Sequence, residues 1–565
     1  MKFSLNLFFF FFFFFFFFFF FGVYFYEYDL VYFFEWVFFS FNGVNFTCIF
    51  LFDWVSLIFM SFVFLISGSV LFYSLGYMSD EKNFVRFYFL VFMFILSMIF
   101  FILMPDLICL MLGWDGLGLV SYCLIIYYNN KISLYSGLIT LFMNRLGDIF
   151  LIFSMGWFLN FGSWHFFFYN DFFDKDFDFM IYFVLFASFT SSAQFPFCFW
   201  LPAAMAAPTP VSSLVHSSTL VTSGIYLVIR FNYFIFNYDV YFLIYISLIT
   251  MILSGVAACV ELDLKSIIAF STLSQLGFMF FILSLGCLTL TFIHLLIHAI
   301  FKSLLFLCSG IFIHSFFGNQ DIRFMGGLIN QLPYVCSCFL ISLLCLCGFP
   351  FFSGFYSKDL VIEMVILVEM NYMIFFFFCL GIFFTLIYSF RLLNYMYFSS
   401  SFFLPLVNFF CCKYMYCSLI LLFLFSLISG SLIFWCFIDF VMVVDFFFKV
   451  LPFFFFFFFF FCFLILLMIY FFLYNFIIFF FFSSMWYLSY FSSNFFLKSV
   501  FSYSSISLSL VDLGWIEYLT SGYLIYVSNW FSFIFENVYL SSFKIYMFMF
   551  FFFIFFFLYF IFDLD

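Results

Sequence analysis

Two histidines and a lysine lie in one file within an apolar stretch of the chain. His294, His298 and Lys302 are spaced i, i+4 and i+8, so a helix places all three on one face. A lysine at the depth of a bilayer costs about 3 kcal/mol or more, so it needs a function or a partner there. Three ionisable groups along one apolar helix predict a proton path or an ion site.

Zinc and haem are competing interpretations of the histidine pair. An i, i+4 pair can bind zinc, but a catalytic zinc site needs a third ligand and usually the pattern HExxH, and Leu295 stands at the glutamate position. A bis-histidine haem needs matched histidines on facing helices, and the chain has only 5 histidines. We therefore predict neither a metal nor a cofactor in this chain.

The composition is that of a polytopic membrane protein. Of the 565 residues, 69% are hydrophobic and 8% are charged, which no soluble core could accommodate. The 128 phenylalanines stand largely where leucine would serve as well, which is typical of a T-rich organellar gene. The 17 cysteines form no CxxC pair and are interpreted as small buried hydrophobes. No phosphate-binding glycine motif is present, so neither a nucleotide nor a nucleic acid is an expected ligand.

Apolar runs predict about fifteen membrane-spanning helices. Lysines and arginines then fall in the connections on one side, and most loop acids fall on the other, so the N-terminus is predicted to lie inside. The predicted spans are 3–24, 54–76, 84–103, 106–128, 133–159, 179–200, 210–231, 240–260, 265–286, 288–314, 333–354, 373–396, 418–438, 453–482 and 543–562. The segment 483–542, rich in serine, tyrosine and tryptophan, is expected to lie along the membrane plane or to form a loose loop.

Two early spans carry charged groups that a purely structural helix would not need. Asp115 lies between glycines in LGWDGLGLVSY, and it must pair or stay protonated at that depth. In FMNRLGDIF, Asn144 and Asp148 share a face, and Arg145 can pair with an acid of a neighbouring helix. A static ion pair that locks two helices and a moving proton are equally compatible with this pattern.

Two breaks interrupt the apolar sequence. The first holds four prolines, and His216 follows it among serines; the second, LCGFPFFSGFYSKDL, is followed by Lys358 and Asp359. Broken backbone at membrane depth is tolerated where it is buried in protein or lines a cavity, and transporters place ion sites there. A lone histidine is more often a satisfied hydrogen-bonding group, but the break and the polar run favour a functional role for His216. The prolines of the first break are Pro196, Pro202, Pro208 and Pro210.

Several motifs together resemble one family. GWDGLGLVSY, MNRLGDIF, SAQFPFCFWLPAAMAAPTPVSSLVHSSTLVTSGIYL, IIAFSTLSQLGFM, HAIFKSLLFLCSGIFIH, QDIRFMGGL and GFPFFSGFYSKDLVIE are similar to the chain 5 family of the proton-pumping NADH:ubiquinone oxidoreductase, respiratory complex I. The resemblance is dense over 105–395 and loose elsewhere. Mrp-type cation/proton antiporters share the same core.

The resemblance implies an all-α polytopic fold with two inverted five-helix antiporter-like units, a lateral helix and an anchoring helix. The corresponding domains are 1–104 for the N-terminal helices, 105–231 and 232–396 for the first and second transport units, 397–482 for the C-terminal helices, 483–542 for the lateral amphipathic segment and 543–565 for the anchoring helix.

Carried over position by position, the resemblance implies a proton path through charged and histidine residues of both units. Asp115 stands where the family has its key glutamate, and the central relay is expected at His294, His298 and Lys302. The exit of the second unit is expected at Lys358 and Asp359. The predicted path comprises Asp115, Arg145, Asp148, His216, His294, His298, Lys302, Lys358 and Asp359.

Departures from the family pattern concentrate in the first transport unit. Ser191 replaces the lysine before SAQF, Cys198 replaces a histidine and Ala206 replaces a glutamate, while Asp115 is one methylene shorter than the family's glutamate. The lysine would have favoured the ionised form of the first-unit acid. The first unit is therefore expected to lack ionisable groups that the family pattern has, and the second is expected to keep its full set.

The expected function is proton translocation across the mitochondrial inner membrane, coupled to electron transfer from NADH to ubiquinone. Flavin mononucleotide, iron–sulfur clusters and ubiquinone are expected in other subunits. The expected partners are the other membrane-arm subunits, especially a neighbouring antiporter-like subunit contacted by the lateral helix, and the lipids of the membrane. The alternatives are a non-pumping structural or assembly subunit of the same complex and a subunit of an Mrp-type antiporter.

Overall fold

The computed structural model describes residues 2–41, 44–79, 81–165, 177–232, 241–368, 371–399, 412–438, 476–488, 490, 496–539 and 543–562. The chain divides into two compact bodies, Met1–Trp486 and Tyr487–Asp565.

The N-terminal part combines a helix pair with a β-hairpin. Asp53 caps the second helix, because its side chain accepts from the backbone N–H of Ser56 while the Ser56 hydroxyl accepts from the N–H of Asp53. The hairpin strands are antiparallel and rich in aromatic and β-branched residues. The elements are α1 (Lys2–Glu27), β1 (Tyr32–Phe41), β2 (Val44–Phe52), α2 (Trp54–Tyr77) and α3 (Phe84–Leu103).

The hairpin is absent from the sequence-based prediction, which treated this region only as an acidic loop. The dipeptide Asn42–Gly43 between two aromatic runs is the signal that could have found it, since Asn-Gly is the strongest short-range indicator of a hairpin.

The first transport unit contains three long helices followed by a broken segment. Helix α6 ends at Ser191, and short helical pieces follow before α9 begins. Residues Ser212–Thr219 form π-helical turns that include His216. The helices are α4 (Leu107–Ile125), α5 (Lys131–Phe158), α6 (Phe177–Ser191), α7 (Trp200–Ala203), α8 (Thr209–Val211) and α9 (Leu220–Arg230).

The second transport unit is built around one helix, α12 (Leu288–Ser315), in which every residue from Leu290 to Ile313 is buried. It packs against α2, α8, α9 and the π-helical turns of the first unit, and also against α11 (Leu264–Ser284), α14 (Pro333–Cys347), α15 (Ser353–Leu367) and α17 (Lys413–Phe437). Helix α14 ends at Gly348, whose positive φ of 80° suits glycine, and α15 begins at Ser353. The helices of this unit are α10 (Phe242–Val260), α11 (Leu264–Ser284), α12 (Leu288–Ser315), α13 (Leu328–Gln331), α14 (Pro333–Cys347), α15 (Ser353–Leu367) and α16 (Tyr372–Leu393). The C-terminal helices α17 (Lys413–Phe437) and α18 (Phe476–Ser483) follow.

Polar contacts join groups that the predicted topology places on the same side of the membrane. Arg230 at the end of α9 binds Asp53 at the start of α2, with Nη2 2.9 Å from Oδ1. At the opposite side, Arg391 of α16 donates to the carbonyls of Cys259 and Glu261, both at 2.7 Å. These are the last carbonyls of α10, which a cation stabilises by satisfying orphan acceptors.

The second compact body is helical. One continuous helical run covers most of the segment predicted to lie along the membrane plane, with π-helical turns over Leu508–Ile516 and Tyr518–Gly522. The helices of this body are α19 (Phe496–Ser507), α20 (Tyr523–Tyr539) and α21 (Phe543–Phe562).

The predicted all-α membrane fold is confirmed, and fourteen of the predicted spans have a helical counterpart. Within the described residues, 11 helices are long and apolar enough to cross a membrane, and three shorter apolar helices lie at 180–191, 333–347 and 544–559. The predicted span 453–482 lies largely outside the described residues. The span predicted at 333–354 is shorter than expected because the break at Gly348 ends α14.

Candidate proton path

Helix α12 places its three ionisable residues in the buried interior of the protein. His294, His298 and Lys302 each have 0% of their surface exposed. The imidazole rings of His294 and His298 have centroids 6.4 Å apart. The file predicted from the spacing is therefore present, and it is sealed from the protein surface.

Partners of this file come from the neighbouring helices. His294 Nδ1 lies 2.8 Å from the Ser357 hydroxyl, and its Nε2 lies 3.3 Å from Oε1 of Gln275. An amide oxygen can only accept, so Nε2 carries the proton and Nδ1 accepts from Ser357. Lys302 donates to the hydroxyl of Ser271 on α11.

The second break brings Lys358 towards the same region. Its ammonium donates to the carbonyl of Leu346, one of the orphan acceptors at the end of α14, and lies 6.0 Å from the ring of Phe278. That ring is 5.1 Å from the ring of His294. Asp359, the next residue along α15, is partly buried. The break therefore supplies both the cation and the carbonyl that holds it.

The interior of the second unit has cations without counter-ions. Within the described part of the chain, neither Lys302 nor Lys358 forms an ion pair, although the two ammonium groups interact electrostatically with each other. Like charges and desolvation both disfavour having the two lysines protonated together. Such a site can pass through states that differ in the number of bound protons.

The charged groups of the first unit form an ion-paired cluster. Arg145 Nη1 lies 2.8 Å from Asp148 Oδ2 and 3.5 Å from Asp115 Oδ1. The side chains of Asp115 and Arg145 are each 41% exposed, whereas that of Asp148 is 8% exposed. The predicted pairing of Arg145 with an acid of a neighbouring helix is observed, and it involves both acids of the cluster.

His216 lies next to the first break and is fully buried. Neither of its ring nitrogens has a hydrogen-bond partner among the described residues, and its ring lies 6.2 Å from the ring of Trp200. The same holds for both ring nitrogens of His298. The sequence favoured a functional role for His216 over that of a satisfied hydrogen-bonding group, and among the described residues no donor or acceptor reaches its ring. Its functional role stays a prediction.

Two of the positions that depart from the family pattern, Ser191 and Cys198, are packed as ordinary core, whereas Ala206 is half-buried and Asp115 is partly exposed. Ser191 is buried and donates to the carbonyl of Ser188 at 3.1 Å. A Cβ added to Gly224 of α9 would lie 2.5 Å from the Ser191 hydroxyl oxygen, so the two helices touch there. Cys198 is fully buried. No cation occupies the position where the resemblance places one.

Sequence reasoning missed the neutral partners Ser271, Gln275 and Ser357 and the cation Lys265. Lys265 begins a predicted span and was given no role, but its side chain is buried and its ammonium lies 3.2 Å from the Ala207 carbonyl oxygen in the first break. Serines in apolar helices usually bond their own backbone, so nothing in the sequence distinguishes these. Among the described residues, no group of three histidine, cysteine or acidic side chains is arranged to hold a metal.

Family models match nearly the whole chain. Residues 36–88 match the complex I chain 5 N-terminus, 104–385 match the membrane part shared by NADH:quinone oxidoreductase and Mrp antiporters, and 388–561 match the NADH dehydrogenase subunit 5 C-terminus.

Similar proteins carry the same name. NADH-ubiquinone oxidoreductase chain 5 of Locusta migratoria is 44% identical over 507 residues, covering 87% of this chain and 88% of the relative. The chain belongs to the NADH-ubiquinone oxidoreductase chain 5 family. The protein of that name from Aedes aegypti is 54% identical over 343 residues, 60% of this chain and 59% of its own length. The predicted family and the multi-pass location in the mitochondrial inner membrane are thereby confirmed.

Solved structures support the fold. A chain of the Mrp complex from Dietzia sp. DQ12-45-1b superposes with a TM-score of 0.66 at 24% identity, over 75% of this chain and 49% of that chain. A chain of an archaeal membrane-bound sulfane sulfur reductase gives a TM-score of 0.61 at 21% identity, over 71% of this chain and 68% of that one. The antiporter-like fold follows from both, and the alternative of an independent Mrp-type antiporter is not favoured by the chain 5 relatives.

Proposed function

We propose that this subunit of NADH:ubiquinone oxidoreductase translocates protons, and that the second transport unit carries the working path. The single observation that carries the proposal is the buried file of His294, His298 and Lys302, together with Lys358. Among the described residues, His294 and the two lysines contact neutral oxygen atoms and form no ion pair with a carboxylate. Electron transfer through flavin, iron–sulfur clusters and ubiquinone belongs to other subunits of the complex.

Lys302 is the central switch of the proposed path. A buried ammonium whose partner is the hydroxyl of Ser271 loses its proton more readily than one held by a carboxylate, because no ion pair is broken. Two buried ammonium groups in one apolar interior repel each other, so a proton on one disfavours a proton on the other. The pair is proposed to alternate in this way.

His294 and His298 relay the proton along α12. His294 accepts from Ser357 at one nitrogen and donates to Gln275 at the other, so a proton taken up at Nδ1 can be given up at Nε2. The ring of His298, 6.4 Å from that of His294 between centroids, is too far for a direct hydrogen bond. Water must complete the step between them.

The first unit is proposed to contribute less to proton translocation. Asp115, Arg145 and Asp148 are bound to one another, and two of the three side chains are partly exposed. Partly exposed charges at bilayer depth need a protein partner or a watery surface. We therefore assign this face to contact with a neighbouring subunit of the membrane arm, and the lateral helix of the second body to contact with neighbouring subunits as well.

Replacing Lys302 by methionine in the assembled complex tests the proposal. Methionine has a similar shape but cannot bind a proton, so the ratio of protons moved to electrons transferred should fall by the share that one transport unit carries. Lys82→Met, at an exposed lysine between α2 and α3, is the matched control and should keep the ratio. An unchanged ratio in an assembled Lys302→Met complex would support the structural-subunit alternative and reject the proposal.

A further inference from the structure

A buried lysine of the second transport unit is bound to the first break. Lys265 is the second residue of α11, and its ammonium donates to the carbonyl oxygen of Ala207 at 3.2 Å. Only 6% of Lys265 is exposed, and Ala207 is fully buried. The predicted topology places this contact on the inner side of the membrane, where the proposed function takes up protons. The path proposed around Lys302 and Lys358 does not include it.

The Ala207 carbonyl lies where the backbone of the first break leaves a helical piece. Ala204–Ala206 form a single 3-10 turn, and Ala207 follows it with an extended backbone, at ψ 158°. Pro208 comes next, and a proline disfavours a helical conformation of the residue before it and supplies no N–H of its own. Carbonyl groups at the end of a helical piece lack their usual partners within the helix, and an ammonium can take that place.

The second break binds a lysine in the same way. Lys358 donates to the carbonyl of Leu346, at the end of α14. In both breaks, therefore, a backbone carbonyl holds an ammonium that another helix supplies, α15 in the second break and α11 in the first. Among the described residues neither lysine forms an ion pair. A neutral oxygen binds the ammonium of Lys265, as it does that of Lys358, without committing it to stay protonated.

Three features of the site disfavour the charged form of Lys265. Its surroundings are largely closed to water, which weakens the solvation of an ammonium. It lies in the first turn of α11, where the partial positive charge of the helix terminus repels a cation. Glu261 and Asp263, the acids that precede this helix, form no ion pair with it in the described part of the chain. A lysine in such a place can release its proton without breaking an ion pair.

We propose that Lys265 is the group that takes up a proton from the inner compartment at the first break. The inference rests on the proposed function, because it assigns the start of the path that Lys302 continues. In this step the lone pair of the neutral amine forms an N–H bond to a proton of hydronium, and the hydronium leaves as water. The Ala207 carbonyl accepts a hydrogen bond from the resulting ammonium and holds it until the proton moves on.

The first break also gives the proton a direction. His216 is the next ionisable side chain along the sequence from Ala207, and among the described residues neither of its ring nitrogens has a hydrogen-bond partner. The π-helical turns that carry His216 pack against α11 and against α12, the helix of Lys302. No hydrogen bond joins Lys265 to His216 within the described residues, so the transfer between them needs water.

A clamp is the structural alternative for Lys265. In that role the ammonium would only fix the first break against α11 by its hydrogen bond, and it would keep its proton throughout. Arginine separates the two roles, because it keeps the charge and can donate to a carbonyl but does not lose its proton in proteins. Histidine makes the opposite change, because it exchanges protons near neutral pH but has a shorter side chain.

Three variants of the whole complex test the proposal: Lys265→Arg, Lys265→His and Lys265→Met. The ratio of protons moved to electrons transferred is measured in vesicles, for complexes that assemble on native gels. Arginine and methionine should lower the ratio as far as Lys302→Met does, whereas histidine should keep it closer to the wild type. Lys131, an exposed lysine in the first turn of α5, is the matched control, and Lys131→Arg and Lys131→Met should keep the ratio.

The order of the variants decides between uptake and clamp. A wild-type ratio in Lys265→Arg, or a ratio with histidine no higher than with arginine, would overturn the proposal. If Lys265→Met does not assemble, arginine and histidine still give this order. An unchanged ratio in Lys302→Met would reject the proposed function itself, whereas a fall in Lys302→Met without a fall in Lys265→Arg would reject proton uptake by Lys265 alone.

Discussion

The two transport units handle buried charge in different ways. In the first unit, Arg145 is paired with Asp115 and Asp148, and Arg230 is held by Asp53. In the second, Lys302 and Lys358 are held by a hydroxyl and a carbonyl oxygen.

This difference separates charges that stay fixed from charges that can change. An opposite charge stabilises the ionised form of its partner and makes losing it costly, whereas a neutral acceptor binds an ammonium without committing it to remain protonated. Under the proposed function, the ion pairs of the first unit mainly hold its helices together. The second unit is built to change its protonation state.

The largest effect on the second unit is expected from a substitution at the second break, where α14 and α15 pack closely. A Cβ at Gly354 would overlap the carbonyl oxygen of Cys345, so Gly354→Ala must push α15 away from α14. Ser357 and Lys358 would move with α15, and we expect most proton pumping to be lost in complexes that still assemble.

Gly156→Ala is the control for that prediction. Gly156 lies within α5 and has no atom within 4 Å of an added Cβ, so the substitution should keep activity and stabilise the helix by up to about 1 kcal/mol. Pumping measured in vesicles, with assembly checked on native gels, compares the two variants. Equal pumping in both would contradict a role for the geometry of the break.

Breaking the Asp53–Arg230 pair tests the structural role of charge in the first unit. The side chains are only 14% and 10% exposed, so Arg230→Met leaves a buried carboxylate and should destabilise the complex by about 3 kcal/mol or more. Arg323→Met removes an ion pair whose arginine side chain is 57% exposed, so it should cost less than about 1 kcal/mol. Thermal inactivation of the two variants compares their stabilities. Similar losses of stability would argue against a structural role for the Asp53–Arg230 pair.

Removing the donor to His294 should have an intermediate effect. Ser357→Ala leaves Nδ1 of His294 without its hydroxyl partner, and a lost hydrogen bond of about 1 kcal/mol corresponds to a several-fold slower turnover. Ser337→Ala, on the exposed side of α14, is the matched control, because its hydroxyl donates to the carbonyl of Tyr334 in the same helix. Coupled turnover is measured in both, and an unaffected Ser357→Ala would remove His294 from the relay.

The smallest effect is expected at Asp115. Its carboxylate is 41% exposed and shares Arg145 with Asp148, which can hold the arginine alone. Asp115→Asn should therefore change the ratio of protons to electrons little. A loss as large as that of Lys302→Met would show that the first unit is a full partner in pumping.

The sequence predicted fourteen of the helical spans and both breaks, because apolar runs and proline or glycine interruptions are strong signals. Rare charges at bilayer depth likewise marked the ionisable residues that the structure buries. Gly348 and the prolines of the first break marked the interruptions correctly. The family resemblance also identified Ser191 as a departure, and the structure fills that position with packed core.

The partners of the site could not be predicted. Ser271 and Ser357 have the same local pattern as the many serines that bond their own helix, and only tertiary packing brings them to Lys302 and His294. The protonation of a buried group depends on these contacts. The ionisable residues could therefore be predicted from the sequence, but their hydrogen-bond partners could not.

Replacing Lys302 by arginine tests the central claim most directly. Arginine keeps the positive charge and can still donate to Ser271, but it does not lose its proton in proteins. If Lys302 works by changing its protonation state, an assembled Lys302→Arg complex should show the same fall in the ratio of protons to electrons as Lys302→Met. A normal ratio with arginine would mean that the charge alone matters, and it would contradict the account.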